Sequence, residues 1–309
     1  MHKIYDELII SSGGIKGAAI IGALNLLDKN YPIKKFKYLT GCSIGSFLCL
    51  CINIGYNLDE INTLFFKINF EIFQDLKILN FIEICGLDDG KKISNFLKAL
   101  IINKNYDYNI TFKELYEKTN KTLTITTVNI TSGFPEYHNH ISHPSLSVLL
   151  SVRMSINIPI LFSPILYNNC YYVDGALLDP YPYYCIKNTH KIGIWVFEKE
   201  EYNFMNNNKS NLFIKNLNNS ISYINNLMKI LYVNYMKKYY KKLPKNTIYI
   251  DFNLKELNMS FELSQEQRMF IFNFGIKKAN KFFIKEYKNK RKIFLSKKYF
   301  YLWVNKIKK

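Results

Sequence analysis

Arginine is nearly missing from this sequence: of 42 basic residues, only Arg153, Arg268 and Arg291 are not lysine. Specific reading of bases and phosphates leans on bidentate guanidinium forks, so three arginines argue against nucleic acid as the main partner. Acids are scarce too, with 24 Asp plus Glu leaving a formal charge of +18. Lys, Asn, Ile and Tyr are all written by AT-rich codons, so base composition explains the lysines as readily as function does. The charge still raises encounter rates with anionic membranes or nucleic acid. The six cysteines, at 42, 49, 51, 85, 170 and 185, show neither zinc-knuckle spacing nor a dense disulfide framework, which points to reduced thiols in an intracellular compartment. No run approaches the roughly 18 apolar residues of a membrane span, so membrane association is expected to be peripheral. Met1-His2-Lys3 leads almost directly into a strand-like segment, without the basic and apolar regions of a secretory signal.

What is present is ample core material. The 309 residues are 48% hydrophobic and include 24 Tyr and 23 Phe, too much for a disordered chain and enough for one large domain. Tyr5 to Ile10 reads as a buried strand, Ser11 to Gly17 as a glycine-rich turn and Ala18 to Leu27 as a helix. A second strand, Phe36 to Leu39, runs through Thr40-Gly41-Cys42-Ser43-Ile44-Gly45-Ser46 into the apolar helix Phe47 to Ile54. This βαβα order predicts an α/β fold with parallel strands covered by helices. Helices are expected over Leu58 to Ile68, Glu71 to Leu79, Asp89 to Ile102, Thr111 to Glu117 and Ser142 to Ser155. Leu123 to Asn129 alternates in a β pattern, and Tyr171 to Val173 and Lys191 to Phe197 read as further strands.

Composition changes near residue 198. Asn203 to Asn219 is polar and asparagine-rich, reading as a surface loop, followed by an amphipathic helix over 220 to 242. Thr247 to Asp251 reads as one more strand, and Ser264-Gln265-Glu266-Gln267 as a capped helix start. From Lys277 to Lys309 there are 13 basic residues and one acid, Glu286, a net of about +12. The expected division is a catalytic core over 1–198 and a helical extension with a basic tail over 199–309.

The chemistry is carried by two glycine-flanked turns and one carboxylate. Gly41-Cys42-Ser43-Ile44-Gly45 fits the G-x-S-x-G nucleophile elbow, in which a serine stands on a tight strand-to-helix turn and the helix N-terminus faces developing negative charge. Gly13-Gly14-Ile15-Lys16-Gly17 follows the first strand and suits an oxyanion hole of convergent amides, with Lys16 as a nearby charge. It lacks the G-x-G-x-x-G run and the Walker lysine of nucleotide sites. A serine nucleophile needs a base. Asp174, between Tyr172-Val173 and Gly175-Ala176, ends a strand where a sharp turn can follow. His190 competes, since it follows Ser43 and Asp174 in the order of ordinary α/β-hydrolase triads. His138, His140 and His143 have only Glu136 as a neighbouring carboxylate, so a solvated loop is expected there rather than a metal ribbon. Asp179, before Pro180, reads as turn-forming.

Taken in order, these motifs resemble the patatin-like phospholipases. Gly13 to Gly17 matches the family's glycine-rich loop, Gly41 to Gly45 its elbow and Asp174-Gly175-Ala176 its D-G-G or D-G-A element. Gly86-Leu87-Asp88-Asp89-Gly90, Thr111-Phe112-Lys113-Glu114-Leu115 and Arg153-Met154-Ser155 resemble intermediate segments, with methionine where alanine is usual. The resemblance covers about residues 5 to 197. It implies a three-layer α/β/α hydrolase with a mainly parallel sheet and a Ser43–Asp174 dyad, with neither a cofactor nor a metal. The implied substrate is an acyl ester of a phospholipid or lysophospholipid.

The aromatics Phe65, Phe66, Phe70, Phe73 and Phe81 suit a greasy rim, and the basic tail suits peripheral contact with an anionic membrane. The same residues also suit a packed core and a solvated surface. A protein activator, a cytoplasmic location and delivery to a host cell are compatible with the sequence. A non-lipid serine esterase or acyltransferase, and a catalytically silent membrane-binding protein, remain as alternatives.

Overall fold

In this computed structural model the described residues are 5–67, 83–186, 190–198, 227, 230–231, 233–237, 244–252 and 263–307, with side chains described as far as 288. The expected helix Glu71 to Leu79, the loop Asn203 to Asn219, most of the helix over 220 to 242, and Phe70, Phe73 and Phe81 lie outside them.

Strand β1 (Glu7–Ile10) is buried at every position, and its side chains divide by the period-two rule. Leu8 and Ile10 enter the main core beside Ile192, Ile194, Ile248 and Ile250. Ile9 faces the other way, into a cluster of Tyr181, Tyr183, Trp195, Phe197 and Met236. A sheet with two apolar faces needs cover on both, and that gives three layers. The strands are β2 (Tyr38–Cys42), β3 (Gly86–Asp88), β4 (Thr122–Asn129), β5 (Phe134–His138), β6 (Ile160–Phe162), β7 (Ile165–Tyr167), β8 (Cys170–Asp174), β9 (Lys191–Glu198) and β10 (Thr247–Phe252). The main sheet runs β10-β9-β1-β2-β4-β8-β7, with β5 also on β4, while β3 and β6 form a separate pair. The pairings from β10 to β4 are parallel, and β5, β7 and β8 add antiparallel neighbours. The sheet is thus mainly parallel, as the βαβα order requires.

The helices are α1 (Gly17–Asn30), α2 (Ile44–Asn53), α3 (Leu58–Lys67), α4 (Lys91–Asn103), α5 (Phe112–Thr119), α6 (Val148–Ser155) and α7 (Gln265–Ile307). Helix α5 starts at Thr111 in a full capping box with Glu114. Two sequence expectations change. All eight residues of β4 are buried rather than alternating, because the strand is central and both faces of the sheet are covered there. The helix expected from Ser142 begins only at Val148. Asn139 Oδ1 accepts from the amides of Ile141 and Ser142, a local turn that competes with helix formation.

Helices α1 and α7 touch backbone to backbone. A Cβ on Gly275 would lie 1.9 Å from the Ala19 carbonyl oxygen, and one on Gly22 would lie 2.0 Å from that of Phe272. Gly→Ala inside a helix ordinarily stabilises by about 1 kcal/mol. Here Gly275→Ala is expected to do the reverse and destabilise by about 1–3 kcal/mol through overpacking, read as a lower urea midpoint. An unchanged or raised midpoint would show that α7 is not docked through this contact.

Candidate active site

The turn from β2 into α2 forces Ser43 into φ 55°, ψ −124°, a strained conformation for a residue with a side chain. The flanking glycines make this possible. A Cβ on Gly41 would fall 2.4 Å from the Gly45 carbonyl oxygen, and one on Gly45 would fall 2.3 Å from that of Ile10. The elbow is therefore pressed against the end of β1, with Ser43 at the N-terminus of α2, where the helix dipole is positive. Ser46 Oγ and the amides of Ser46 and Phe47 all bond the Ser43 carbonyl oxygen, while the Ser43 amide donates to Ser155 Oγ at 2.9 Å. Ser155 Oγ in turn donates to the Thr126 carbonyl oxygen at 2.7 Å. Helix α6 and strand β4 thereby hold the elbow from behind.

Ser43 Oγ donates to Asp174 Oδ2 at 2.6 Å. Asp174 ends β8 opposite Thr127 of β4, and its other oxygen accepts from the Ala176 amide at 2.8 Å. Gly175 lets the chain turn sharply past β4, since a Cβ there would lie 2.5 Å from the Thr126 carbonyl oxygen. Both members of the pair are buried, Ser43 at 6% and Asp174 at 3% exposure. Burial pushes the Asp174 carboxyl up to about 7, against the lowering pull of the Ser43 hydroxyl and the Ala176 amide. Cys42, adjacent in sequence, is wholly buried, and desolvation pushes its thiol well above the ordinary range. It behaves as a neutral apolar side chain.

The glycine loop approaches from the other side. Gly14 adopts φ +50° and opens a short 3-10 turn, Gly14–Lys16. Gly14 and Ile15 line the same cavity as Ser43 and Ile44. Gly13 and Gly17 instead pack behind, against the Ile44 side chain. The Lys16 amide donates to the Gly13 carbonyl and that of Gly17 to the Gly14 carbonyl, closing the turn into α1.

The cavity has a volume of about 210 Å³ and an almost wholly apolar wall. Phe47, Leu64, Phe65, Phe96, Leu97, Ile156, Ile158, Leu161, Phe162 and Leu263 contribute to it, with Ser43 and Arg268 as its polar side chains. Of the aromatics read as a greasy rim, Phe65 lines this cavity. Phe47, Phe96 and Leu97 sit on segments read only as helices, and nothing in the sequence marks such single apolar residues as cavity-lining. Arg153, noted only for its segment, is buried; it donates to Asn157 Oδ1 at 2.7 Å and lies over the Phe162 ring at 4.7 Å, backing the cavity wall.

The competing base lies elsewhere. The His190 carbonyl accepts from the amides of Asp6 and Glu7 at the start of β1, whereas Ser43 follows the far end of neighbouring β2. The four residues of β1 separate the two ends by roughly 13 Å. Asp179 is buried and accepts from Tyr137 Oη at 2.7 Å. The histidine segment departs furthest from expectation. His138 is fully buried, and it gathers with Glu136 and His143 rather than lying in a solvated loop.

A three-layer α/β/α fold with a serine on a strand-to-helix elbow and an aspartate within hydrogen-bond reach defines the class of α/β hydrolase-like sites. The patatin-like phospholipase family profile matches residues 8–184, more than half of the chain, and the protein belongs to the patatin-like phospholipase family. A protein of Invertebrate iridescent virus 6, "Probable lipid hydrolase 463L", is 32% identical over 188 residues, covering 58% of this chain and 62% of that one. "Uncharacterized protein R571" of Acanthamoeba polyphaga mimivirus is 28% identical over 286 residues, covering 90% and 94%. Among solved structures, VipD from Legionella pneumophila aligns at a TM-score of 0.57 and 15% identity, covering 90% of this chain and 66% of VipD. The chain thus spans just under two thirds of the length of the viral lipid hydrolase and of VipD. At that identity the structural likeness speaks to the fold.

Proposed function

We propose that this chain is a lipid acyl hydrolase of the phospholipase A or lysophospholipase type, working through a Ser43–Asp174 dyad and an acyl-enzyme. One observation carries the reading: Ser43, whose Oγ lies 2.6 Å from Asp174 Oδ2, lines an apolar cavity, where an acyl chain can be buried with its ester carbon beside Oγ. Family membership and the viral relative named as a lipid hydrolase support the substrate class.

Asp174 takes the Ser43 proton as Oγ attacks the ester carbonyl carbon, and the carbonyl π electrons move onto oxygen. We assign stabilisation of that oxyanion to the amides of Gly14 and Ile15, with the N-terminus of α2 contributing its dipole. The tetrahedral intermediate collapses and the ester C–O bond breaks. Asp174 returns the proton to the leaving alkoxide, and an acyl ester remains on Ser43. Water then gives a proton to Asp174 and attacks the acyl carbon; collapse releases the fatty acid and restores the serine hydroxyl.

Residues 1–198 form the catalytic core in this reading. The 199–309 extension supplies β10 at the sheet edge and brings Leu263 and Arg268 to the cavity. Among the described residues no helix is long and apolar enough to cross a membrane, which is compatible with peripheral contact through the basic tail at an anionic surface. A protein activator, a cytoplasmic location and delivery to a host cell belong to the same proposal.

Mass spectrometry of mixed phospholipid vesicles incubated with the protein and a chelator is the direct test. Fatty acid and lysolipid are expected from the wild type and not from Ser43→Ala. Turnover surviving in Ser43→Ala would remove the dyad reading. Hydrolysis confined to small soluble esters would favour a non-lipid esterase.

A further inference from the structure

Glu136 and His138 are two residues apart on β5 and therefore share one face of the strand. The turn that follows brings His143 back onto the same spot. Glu136 Oε2 lies 3.2 Å from His138 Nε2 and 3.7 Å from His143 Nε2, and one donor atom from each of the three residues falls within 4.8 Å of the others. In a tetrahedral zinc site with bonds of about 2.0–2.1 Å, neighbouring donor atoms are about 3.3 Å apart. Two edges of the triangle are already near that value. The third can close by movement of His143, whose side chain is 29% exposed on a turn, against His138, which is fixed in the strand with none of its surface exposed.

The surroundings supply a second, independent observation. His138 Nδ1 lies 3.0 Å from Ser151 Oγ, so the ring can carry its proton on Nδ1 and turn the Nε2 lone pair toward Glu136. Glu136 Oε1 accepts from Asn129 Nδ2 at 2.8 Å, and Tyr172 Oη donates to Oε2 at 3.1 Å. A histidine oriented through its far nitrogen and a carboxylate steadied by amide and hydroxyl donors are the outer partners that metal ligands characteristically have. A hydrogen bond between His138 and Glu136 would by itself account for those two residues. It gives no reason for the Nε2 of His143 to lie 3.7 Å from the same oxygen.

From this convergence we propose that Glu136, His138 and His143 bind a divalent transition metal of the zinc class. Two imidazoles and one carboxylate form a borderline donor set that suits Zn²⁺ better than the all-oxygen shells of Mg²⁺ or Ca²⁺. Three protein ligands leave a position for water. The metal joins β5 to the segment leading into α6, the helix that carries Ser151 against His138 and Ser155 against the Ser43 amide. It is a clamp behind the elbow, and it does not rest on the hydrolase reading.

The full chain, stripped with chelator, reloaded with Zn²⁺ alone and passed through gel filtration, should retain one zinc per molecule, with its melting temperature raised by the metal. Glu136→Gln and His143→Ala should bind at least about tenfold more weakly, the low end of what even an outer partner is worth. Their melting temperatures should not respond to zinc. His140→Ala should behave as wild type, since that ring stacks on Tyr116 and stands outside the cluster. Wild-type protein loaded with Co²⁺ should show visible bands of a nitrogen- and oxygen-ligated tetrahedral ion, a readout that needs no variant to fold. No retained zinc in the wild type, equal retention by His143→Ala, or a thiolate-to-cobalt charge-transfer band marking a cysteine site such as exposed Cys85 would each overturn the proposal.

Discussion

Asp174→Asn is expected to lower fatty-acid release by about 10²–10⁴-fold, the usual worth of a positioned general base, while leaving the fold intact. An asparagine oxygen can still accept from the Ala176 amide, as Asp174 Oδ1 does at 2.8 Å, so the turn after β8 keeps its anchor. What is lost, on the proposed mechanism, is the ability to take the Ser43 proton. The wild-type pH profile follows from the same carboxylate. Burial holds it at about 7, and only its ionised form is a base, so kcat/KM should fall about tenfold per pH unit below that value and level off above it. Initial rates from pH 5 to 9 would check this. A flat profile down to pH 5 would mean that the base ionises in the ordinary carboxylate range, and that Asp174 either is not the base or is wetter than its burial indicates.

The second large effect is on stability and has the opposite sign. Asp174 is raised from the ordinary aspartate value of 3.8 to about 7 in the folded protein, so the native state binds this proton more tightly than the unfolded chain does. Below pH 3.8 both states are protonated and the group exerts no penalty. As pH rises from about 4 to about 7 the unfolded chain gives up the proton while the native state holds it, and stability declines. At about 1.4 kcal/mol per pH unit across that interval, the loss reaches about 4 kcal/mol. Asp174→Asn removes the term. At pH 8 the variant is expected to be more stable than the wild type by several degrees in melting temperature, at roughly 2 °C per kcal/mol for a chain of this size, and the gap should close toward pH 4. A gap that does not change with pH would show that the carboxylate is not held protonated. Lower activity together with higher stability is what a strained functional site predicts.

Much of the layout was legible in the sequence because it depends on local chemistry. Two apolar strands followed by glycine-flanked turns and helices specify parallel βα units, since short loops and right-handed crossovers leave few other arrangements. Gly41, Gly45 and Gly175 were readable as places where backbone meets backbone. Ser142 to Ser147 misled because serine content and helical spacing say nothing about a turn closed by Asn139. The alternation in β4 failed because threonine reads as polar in a pattern, yet it packs readily in a central strand with both faces covered.

The sequence by itself determined the G-x-S-x-G turn, the glycine loop, the strand that ends at Asp174 and the three-layer class, since each motif is encoded in a short local stretch and the order of the stretches specifies the layers. Only the tertiary structure showed that Asp174, and not His190, lies beside Ser43, because that depends on which ends of β1, β2, β8 and β9 lie together. It also decided the fate of the histidines. Glu136 and His138 are neighbours along a strand, but the distance from His143 to Glu136 is set by how the turn before α6 folds back, and spacing alone does not carry it. The cavity wall is a third case. Phe47, Phe96 and Arg268 lie far apart in sequence, on α2, α4 and α7, and only the packing of those helices brings them to one cavity.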